Sequence, residues 1–331
     1  MEPLLLITIF ISFFCTYLMV PFWIRKAGQI GLVWEDMNKP KREKNVAGSG
    51  GITVVMGAMI GIFLYIAIQT FYFKSQDGVS IKIFALLSTL LLVTGIGLVD
   101  DLFGWKRGGL SKRSRIILIF LSAIPLMVIN AGQSTVMGIS FGLLYPLLII
   151  PLGVLGATTV FNFLAGFNGL ETSQGIIMLS ALAIVTYITG SAWLSVVALC
   201  MVASLCAFYI FNANPAKVFP GDVLTYAIGA AIAVIAILGD SEKIALFFFI
   251  PYFIEMVLKL RGKLKKQSFG KPNKDGSLEM PYDKIYGLEH LAIFLLKKIK
   301  PSKKVYENDV VYAINGFQIL VILLGFVLFI L

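Results

Sequence analysis

The feature that most constrains the fold is a series of long apolar runs that occupy most of the sequence. A run of about 17 to 25 apolar residues is long enough for a helix to cross the hydrocarbon core of a bilayer. Of 331 residues, 58% are apolar and 14% are charged, a balance that no water-soluble chain of this size needs for one core. We therefore predict an all-α, polytopic integral membrane protein with about ten transmembrane helices. The predicted spans are 3–24, 52–73, 82–100, 115–130, 142–161, 172–190, 192–211, 223–239, 243–259 and 310–331.

The positive charges indicate how these spans are oriented. Short loops that are rich in lysine and arginine stay on the cytoplasmic side of a membrane. Of the 28 lysines and arginines, only Lys74, Lys82 and Lys243 fall on the opposite side if the spans are as drawn. Ten spans then place both termini on the outer face. We expect one transmembrane catalytic domain over residues 1–331, with a basic cytoplasmic loop at about 259–309.

The remaining composition excludes several functional classes. The net charge of +10 is explained by topology and by anionic lipid headgroups, rather than by nucleic-acid binding. Cys15, Cys200 and Cys206 lie inside apolar runs without CxxC spacing, which indicates packing rather than a metal site. His290 is the only histidine, so a histidine-based triad or a multi-histidine zinc site is excluded. It falls with Glu289 on a predicted amphipathic surface helix over 285–299, and we interpret it as non-catalytic.

The acidic residues carry more information, because a carboxylate within or at the edge of a membrane span is costly. Asp100 and Asp101 end the third predicted span. Adjacent helical residues point about 100° apart, so the two carboxylates should have separate roles. The structural alternative is a solvated helix end, or a charge pair with Lys106 or Arg107. An aspartate at a helix C-terminus opposes the helix dipole, which favours a functional interpretation.

Two further segments combine glycine or proline with polar side chains. The sequence NFLAGFNGLE at 162–171 contains two glycines that permit close approach to a ligand, with amides and a carboxylate able to read a nucleobase or sugar. The same segment could be a simple turn. The sequence NPAKVFPGD at 214–222 delivers Asp222 to the start of a span, either as a helix N-cap or as a ligand for a hard cation such as Mg²⁺.

These acidic and polar elements share the predicted cytoplasmic face with several cations, notably Lys263, Lys265, Lys266, Arg113 and Arg115. Positive side chains that face a magnesium carboxylate site suit a phosphate-bearing substrate. A transporter or flippase is the alternative, but a proton-coupled transporter should hold its carboxylates near mid-membrane. Only Glu255, late in the ninth predicted span, approaches that description.

At these segments the sequence resembles the polyprenyl-phosphate N-acetylhexosamine-1-phosphate transferase family, whose members are ten-span enzymes. The match runs through nearly the whole chain, and AGFNGLE looks like the branch that makes N-acetylglucosaminyl-diphospho-dolichol. The SLEMPYDK stretch at 277–284 resembles the last cytoplasmic loop of that branch. The short length of the chain suggests an archaeal member. The motifs are EDMNKP at 35–40, SGGI at 49–52, GLVDDLFG at 97–104, GLSKRSR at 109–115, NFLAGFNGLE at 162–171 and NPAKVFPGD at 214–222.

The resemblance implies transfer of N-acetylhexosamine 1-phosphate from a UDP-sugar to dolichyl or another polyprenyl phosphate, with release of UMP. This would be the first step of lipid-linked oligosaccharide synthesis for protein N-glycosylation. It implies Mg²⁺ as cofactor, with Mn²⁺ as a substitute, held by Asp222 and Asn162. It also implies Asp100, Asp101 and Arg115 as catalytic residues on the acceptor side. The implied substrate-binding residues are Asn38, Lys39, Gly166, Asn168, Glu171, Lys265 and Lys266.

Two positions depart from the family pattern. Arg115 stands where lysine is usual, which keeps the charge but changes the geometry. Lys265, Lys266 and Gln267 stand where the branch has Arg-His-Arg. A bacterial-type enzyme acting on undecaprenyl phosphate for cell-envelope polymers is the alternative within the family. We expect a multi-pass protein of the plasma membrane, or of the endoplasmic reticulum if eukaryotic, with a cytoplasmic active site. Relatives often pair in the membrane, so a homodimer is expected as well.

Overall fold

The structure, a computed structural model, describes residues 3–41, 44–75, 78–136 and 138–330. It is mostly helical, which confirms the all-α prediction. The helices are α1 (Pro3–Ile30), α2 (Gly51–Ala67), α3 (Val79–Arg107), α4 (Lys112–Leu121), α5 (Ile124–Val128), α6 (Ile150–Phe161), α7 (Leu170–Ile188), α8 (Ala192–Asn212), α9 (Gly221–Leu238), α10 (Glu242–Phe248), α11 (Ile250–Arg261), α12 (Leu288–Ile299) and α13 (Glu307–Phe329).

Short irregular elements connect the helices. A π-helical turn, Ile68–Tyr72, continues α2, and a second, Tyr145–Ile149, leads into α6. Three antiparallel pairs of short strands form hairpins in the loops. The strands are β1 (Val33–Glu35), β2 (Lys44–Ala47), β3 (Thr135–Val136), β4 (Ile139–Ser140), β5 (Lys271–Pro272) and β6 (Leu278–Glu279), paired in that order.

Within the described residues, seven helical segments are long and apolar enough to cross a membrane. They contain α1, α2 with its π-helical turn, α3, α7, α8, α9 and α13. The predicted spans at 115–130, 142–161 and 243–259 coincide with shorter pieces, namely α4 with α5, the second π-helical turn with α6, and α10 with α11. The protein is therefore a polytopic helical membrane protein, and the count of ten crossings remains a prediction.

Small residues allow the helices to pack closely, as is common between helices in lipid. Gly57 and Gly61 lie one turn apart on α2 and face a row of small hydroxyl residues on α1. A Cβ at Gly61 would lie 1.9 Å from the hydroxyl of Ser12, and one at Gly57 would lie 2.0 Å from that of Thr16. The Ser12 and Thr16 hydroxyls donate to backbone carbonyls of α1, each at 3.0 Å, so they bring no unpaired polar group into the contact.

Helix α9 forms the centre of the bundle, and nearly all of its residues are buried. It is rich in alanine and glycine, and it packs against α3 on one side and α6 on another. A Cβ at Gly97 of α3 would lie 2.6 Å from the carbonyl oxygen of Asp222. The end of α3 that carries Asp100 and Asp101 is therefore held directly against the start of α9.

Candidate active site

A cavity of about 930 Å³ lies where α3 and α6 end and where α7 and α9 begin. Its walls also include β1, the residues around Ser49, and the segment between α11 and α12. The lining residues are spread along the sequence from Gly31 to Phe269, and the fold brings them together at one end of the bundle. The polar and acidic lining residues are Glu35, Asp36, Ser49, Asp101, Asn162, Asn168, Glu171, Asn212, Asp222, Thr225 and Gln267.

Half of the predicted site residues line this cavity and half lie behind or beside it. The lining residues are Asp101, Asn162, Gly166, Asn168, Glu171 and Asp222. The residues outside the lining are Asp100, Arg115, Asn38, Lys39, Lys265 and Lys266. The structure therefore separates the acidic pair of α3, since Asp101 faces the cavity and Asp100 does not.

Asp100 is almost fully buried, and both of its oxygens are engaged. Oδ1 accepts from the Leu110 amide at 2.7 Å and from Arg115 Nη2 at 3.2 Å. Oδ2 accepts from the hydroxyl of Tyr226 on α9 at 3.1 Å and lies 2.7 Å from Arg115 Nε. Three donors therefore hydrogen-bond to the Asp100 carboxylate, and the Arg115 guanidinium also forms an ion pair with it. Asp100 therefore holds Arg115.

Asp101 performs a different task, because it caps α9 from the neighbouring helix. Its Oδ1 accepts from the Asp222 amide at 2.8 Å and its Oδ2 from the Val223 amide at 3.4 Å. No side chain next to α9 in sequence caps this helix end. The alternative interpretation of Asp222 as the N-cap is thus wrong. The Asp101 carboxylate of α3 accepts from the free amides at the start of α9 instead, where the helix dipole favours a negative charge.

Gly221 makes this cap possible. Its φ of +72° is a left-handed conformation that glycine adopts easily. A Cβ at this position would lie 2.1 Å from Asp101 Oδ2 and 3.0 Å from the Cα of Ser49. Any larger residue would push the carboxylate away from the helix end.

Of the three aspartates Asp100, Asp101 and Asp222, the last has the fewest compensating contacts. It lies beside the Asp100 carboxylate and close to Asp101, and the nearest opposing charge is Arg115. Among the side chains that the structure describes, no N–H or O–H group donates to its carboxylate. Asn162 lies on the same cavity wall, where its Oδ1 accepts from the Thr225 hydroxyl at 2.8 Å and keeps a second lone pair.

This donor set is suited to a hard divalent cation. Carboxylate and amide oxygens are the ligands that Mg²⁺ prefers, and a cation would offset the negative charge that Asp222 shares with Asp101. In the described part of the chain, no three His, Cys, Asp or Glu side chains are arranged to hold a metal by themselves. That arrangement is compatible with Mg²⁺, which commonly keeps waters and takes phosphate oxygens from a substrate.

Asn38 and Lys39 shape the cavity from behind. Asn38 Nδ2 donates to the Gly166 carbonyl at 2.8 Å, and its Oδ1 accepts from the Gly270 amide at 3.0 Å. It therefore ties the segment after α6 to the loop that follows α11. The Lys39 ammonium pairs with the Glu307 carboxylate and donates to the Asn214 side chain.

The polar side chains of 162–171 are also held by protein partners. Asn168 Nδ2 donates to Asp36 Oδ2 at 2.8 Å, and the Asn168 amide donates to Glu307 Oε1 at 2.8 Å. Glu171 Oε1 accepts from the Gly166 amide at 2.8 Å, which folds the segment back on itself. The positive φ at Gly166, +114°, explains why glycine is needed at that position.

Glu307 and Tyr226 are contributors that sequence reasoning missed. Glu307 orients the Asn168 amide and pairs with Lys39, and Tyr226 donates to Asp100. Glu307 does leave one signal, because it is a carboxylate at the start of the last apolar run. Tyr226 leaves none, because a tyrosine inside an apolar span is ordinary.

The loop between α11 and α12 closes the cavity with uncharged side chains. The Phe269 ring packs against Gly166, where a Cβ would lie 2.8 Å from it, and Gln267 lies in the same wall. The Lys266 ammonium lies 4.7 Å from the centre of the Tyr282 ring, and Lys265 is exposed. Neither predicted lysine reaches the wall that Gln267 forms.

His290 lies on α12, buried beneath this loop and outside the cavity wall. Its Nδ1 accepts from the Tyr286 amide at 3.4 Å, and its ring meets Tyr282 edge to face. Burial, with a smaller effect from Lys259, lowers the pKa of His290 to about 4, so the imidazole is neutral at physiological pH. This placement is in line with a non-catalytic role.

A mostly helical membrane body, with carboxylates gathered around a cavity at one end of its helices, defines a polytopic membrane protein with a candidate active site. Residues 83–240 match the family described as glycosyl transferase family 4. A protein of Saccharolobus solfataricus is 36% identical over 296 residues, which cover 87% of this chain and 88% of that relative. It is provisionally named UDP-N-acetylglucosamine–dolichyl-phosphate N-acetylglucosaminephosphotransferase. The chain belongs to glycosyl transferase family 4.

Other relatives come from all three domains of life. A Sulfolobus acidocaldarius protein with the same provisional name is 30% identical and covers 98% of this chain and 95% of its own length. The UDP-N-acetylglucosamine–dolichyl-phosphate N-acetylglucosaminephosphotransferase of Dictyostelium discoideum is 28% identical, covering 73% of this chain and 68% of its own. The phospho-N-acetylmuramoyl-pentapeptide-transferase of Halalkalibacterium halodurans is also 28% identical, covering 80% and 86% respectively.

Proposed function

We propose that this protein transfers N-acetylglucosamine 1-phosphate from UDP-N-acetylglucosamine to dolichyl phosphate and releases UMP, the first step of lipid-linked oligosaccharide synthesis for protein N-glycosylation. The observation that carries the proposal is the 36% identity, over 87% of the chain, to an archaeal relative named for this activity. The cavity supports it, because its walls are built from the motif segments around Asp101, Gly166 and Asp222.

We further propose that Asp222 and Asn162 hold Mg²⁺, or Mn²⁺ in its place, at the cavity wall. When bound, the ion would offset negative charge on the sugar diphosphate and on the departing UMP. Asp101 contributes by holding the first amides of α9, which sets the direction of the Asp222 side chain. Glu171, Asn168 and Gly166 line the same cavity, and the nucleoside would bind beside them.

The acceptor phosphate needs little help from a general base. A phosphate monoester has a second pKa of about 6, so its oxygen is largely deprotonated at neutral pH. That oxygen attacks the β-phosphorus, and the bond from this phosphorus to the oxygen of the α-phosphate breaks as UMP leaves. In this proposal Arg115 holds the acceptor phosphate, and the contact with Asp100 supports it by orienting the guanidinium. Because the Asp100 carboxylate is already held by Arg115, Tyr226 and the Leu110 amide, we favour direct attack over a covalent aspartyl intermediate.

The topology that fits this chemistry has ten crossings, with both termini outside and the cavity on the cytoplasmic side of the plasma membrane. Each of the three shorter helical pieces would then complete one crossing. UDP-sugars are made in the cytoplasm, and the lipid acceptor would enter from the bilayer beside α3 and α4. A homodimer stays a prediction.

The test is an assay of purified protein with Mg²⁺, a panel of UDP-N-acetylhexosamines, and dolichyl or undecaprenyl phosphate as acceptor. The expected result is UMP release with UDP-N-acetylglucosamine and dolichyl phosphate. Preference for undecaprenyl phosphate would instead assign the bacterial type of enzyme. Donor binding or flux without cleavage of the diphosphate would indicate a transporter, and no turnover with any pair would refute the proposal.

A further inference from the structure

A cluster of buried ionisable side chains lies outside the cavity, beneath the loop between α11 and α12. Glu255 and Lys259 come from α11, and Glu289 comes from the first turn of α12. Both glutamates are fully buried and Lys259 is only 8% exposed. The mechanism proposed above uses none of them, although burying charges is costly unless they are paired.

Glu255 links the two helices. It lies one turn before Lys259, and its Oε1 is 3.3 Å from the ammonium. Its Oε2 accepts from the Leu288 amide at 2.5 Å, which is the first amide of α12. The residue before α12 is Gly287, which has no side chain that could cap the helix. Glu255 therefore supplies the cap from α11.

Glu289 has no such arrangement. Among the described residues, neither of its oxygens has a hydrogen-bond partner on another residue, and Glu255 Oε1 also accepts no hydrogen bond. The two carboxyl groups face each other across Gly287. A Cβ there would lie 2.5 Å from Glu289 Oε2 and 3.1 Å from Glu255 Oε1.

Two carboxylates thus lie near one lysine, which contacts Glu255 only, so one negative charge is in excess if both are ionised. Burial, and then the charge of Glu255, raise the pKa of the Glu289 carboxyl well above its usual range. Other charged or titratable groups near Glu289 are Lys259, the neutral His290 next to it, and Glu171 on α7. A proton on Glu289 would remove the excess charge.

The cluster is connected to the cavity wall through Lys259. Its ammonium donates to the hydroxyl of Ser268, which is buried between Gln267 and Phe269. Both neighbours of Ser268 lie in the cavity wall. The ion pair of α11 is therefore linked to the wall segment through Lys259.

We propose that Glu289 is a positioning residue that keeps its proton at neutral pH, so that the Glu255–Lys259 pair can hold residues 267–269 against the cavity. The inference rests on the proposed function only in assigning that wall to the UDP-sugar. Loss of the proton would leave two anions competing for Lys259. Their repulsion would separate the start of α12 from α11 and release Ser268.

The sign of the pH dependence follows from this arrangement. The ordered loop binds a proton that the displaced loop, with Glu289 exposed to solvent, does not retain. Raising the pH through the elevated pKa of Glu289 therefore weakens the ordered state, and lowering it does not. The wall should be well ordered at neutral pH and loosen under alkaline conditions.

The experiment compares the wild type with Glu289→Gln, which imitates the protonated acid, and with Glu289→Leu, which is neutral and apolar. Glu279→Gln is the matched control, because Glu279 belongs to the same loop and pairs with Lys297 near the surface. Amide hydrogen exchange of residues 262–287, infrared absorption of protonated carboxyl groups, and the Kd for UDP-N-acetylglucosamine are measured at neutral and alkaline pH.

In the wild type and in Glu279→Gln, exchange protection should fall and the Kd should rise about tenfold at alkaline pH. In Glu289→Gln both should be independent of pH, and the infrared band should be smaller by one carboxyl group. Glu289→Leu should show the same insensitivity, which keeps the test valid if the glutamine variant folds poorly. An unchanged infrared band, or the wild-type pH response in both variants, would overturn the inference. The exchange and infrared results decide it even if the protein does not bind a UDP-sugar.

Discussion

Asp100, Asp101 and Asp222 lie close together but have different environments. Asp100 is held by Arg115, Tyr226 and the Leu110 amide, Asp101 caps a helix, and Asp222 lies beside these two carboxylates. The difference arises from which helix end each carboxylate meets, not from the side chain itself. Substitutions at these positions should therefore have different consequences.

Replacing Asp222 with asparagine should reduce turnover by about 100-fold or more, the scale of losing one essential electrostatic group from an active site. The physical reason is that a neutral amide neither attracts Mg²⁺ as strongly nor requires a cation. Activity measured against Mg²⁺ concentration, together with Mg²⁺ titration by calorimetry, checks this. Asp283→Asn, at an exposed position of the last loop, is the control. Near-normal kinetics with an unchanged Mg²⁺ requirement would contradict the assignment.

Replacing Arg115 with lysine should lower kcat/KM for the polyprenyl phosphate by about tenfold while leaving the KM for the UDP-sugar nearly unchanged. Lysine keeps the charge but cannot engage both Asp100 oxygens, as Nε and Nη2 of the arginine do. Arg113→Ala, two positions earlier and exposed, should be close to wild type. The two losses from Arg115→Lys and Asp100→Asn should be less than additive when combined, and full additivity would argue against their coupling.

At the scale of elements, the site depends on close contact between α3 and α9. Gly97 permits the contact, Asp101 crosses it to cap α9, and Gly221 leaves room for the carboxylate. Small residues recur at such contacts because lipid offers no hydrophobic drive for helix association, so close packing must supply the stability.

Gly97→Ala should destabilise the protein by about 1–3 kcal/mol, the usual scale of overpacking. The added methyl group would meet the backbone of Asp222 and Val223, which cannot move aside as a side chain can. Gly95→Ala is the matched control, since nothing lies within 4 Å of a Cβ there and alanine favours helix. Thermal unfolding in detergent should show a lower midpoint for the first variant alone. Equal unfolding midpoints for Gly97→Ala and Gly95→Ala would show that α3 can move away from α9 without loss of stability, and would contradict the prediction.

At the scale of the whole molecule, the proposed orientation can be tested by labelling. In a variant whose three cysteines are replaced by alanine, a cysteine at Lys74 should react with an impermeant maleimide in intact cells. A cysteine at Lys274 should react only after permeabilisation. Both positions are exposed, so access to the reagent depends on membrane side rather than burial. The reverse pattern would invert the topology and place the cavity outside.

The sequence predicted the helical body well, because each apolar run has one low-energy solution in lipid, a helix that satisfies its own hydrogen bonds. It also predicted that the segments around Asp101, Asn162 and Asp222 matter, and these line the same cavity. It did not reveal that Asn38 and Lys39 bind protein groups. Nor did it reveal Glu307 or Tyr226, because their partners are more than 100 positions away along the chain.

The sequence alone therefore determined that the helices lie in lipid, that the chain is helical, and that lysine and arginine are unevenly distributed among the loops. All three follow from local composition. Tertiary structure alone decided which carboxylate is held by Arg115 and Tyr226, which caps a neighbouring helix and which lines the cavity beside Asn162. It also decided that Glu289, an ordinary residue in the sequence, is a fully buried acid without a partner among the described residues. The physical reason is that the electrostatic environment of a carboxylate is set by the groups around it in space, and most of those groups are distant in sequence.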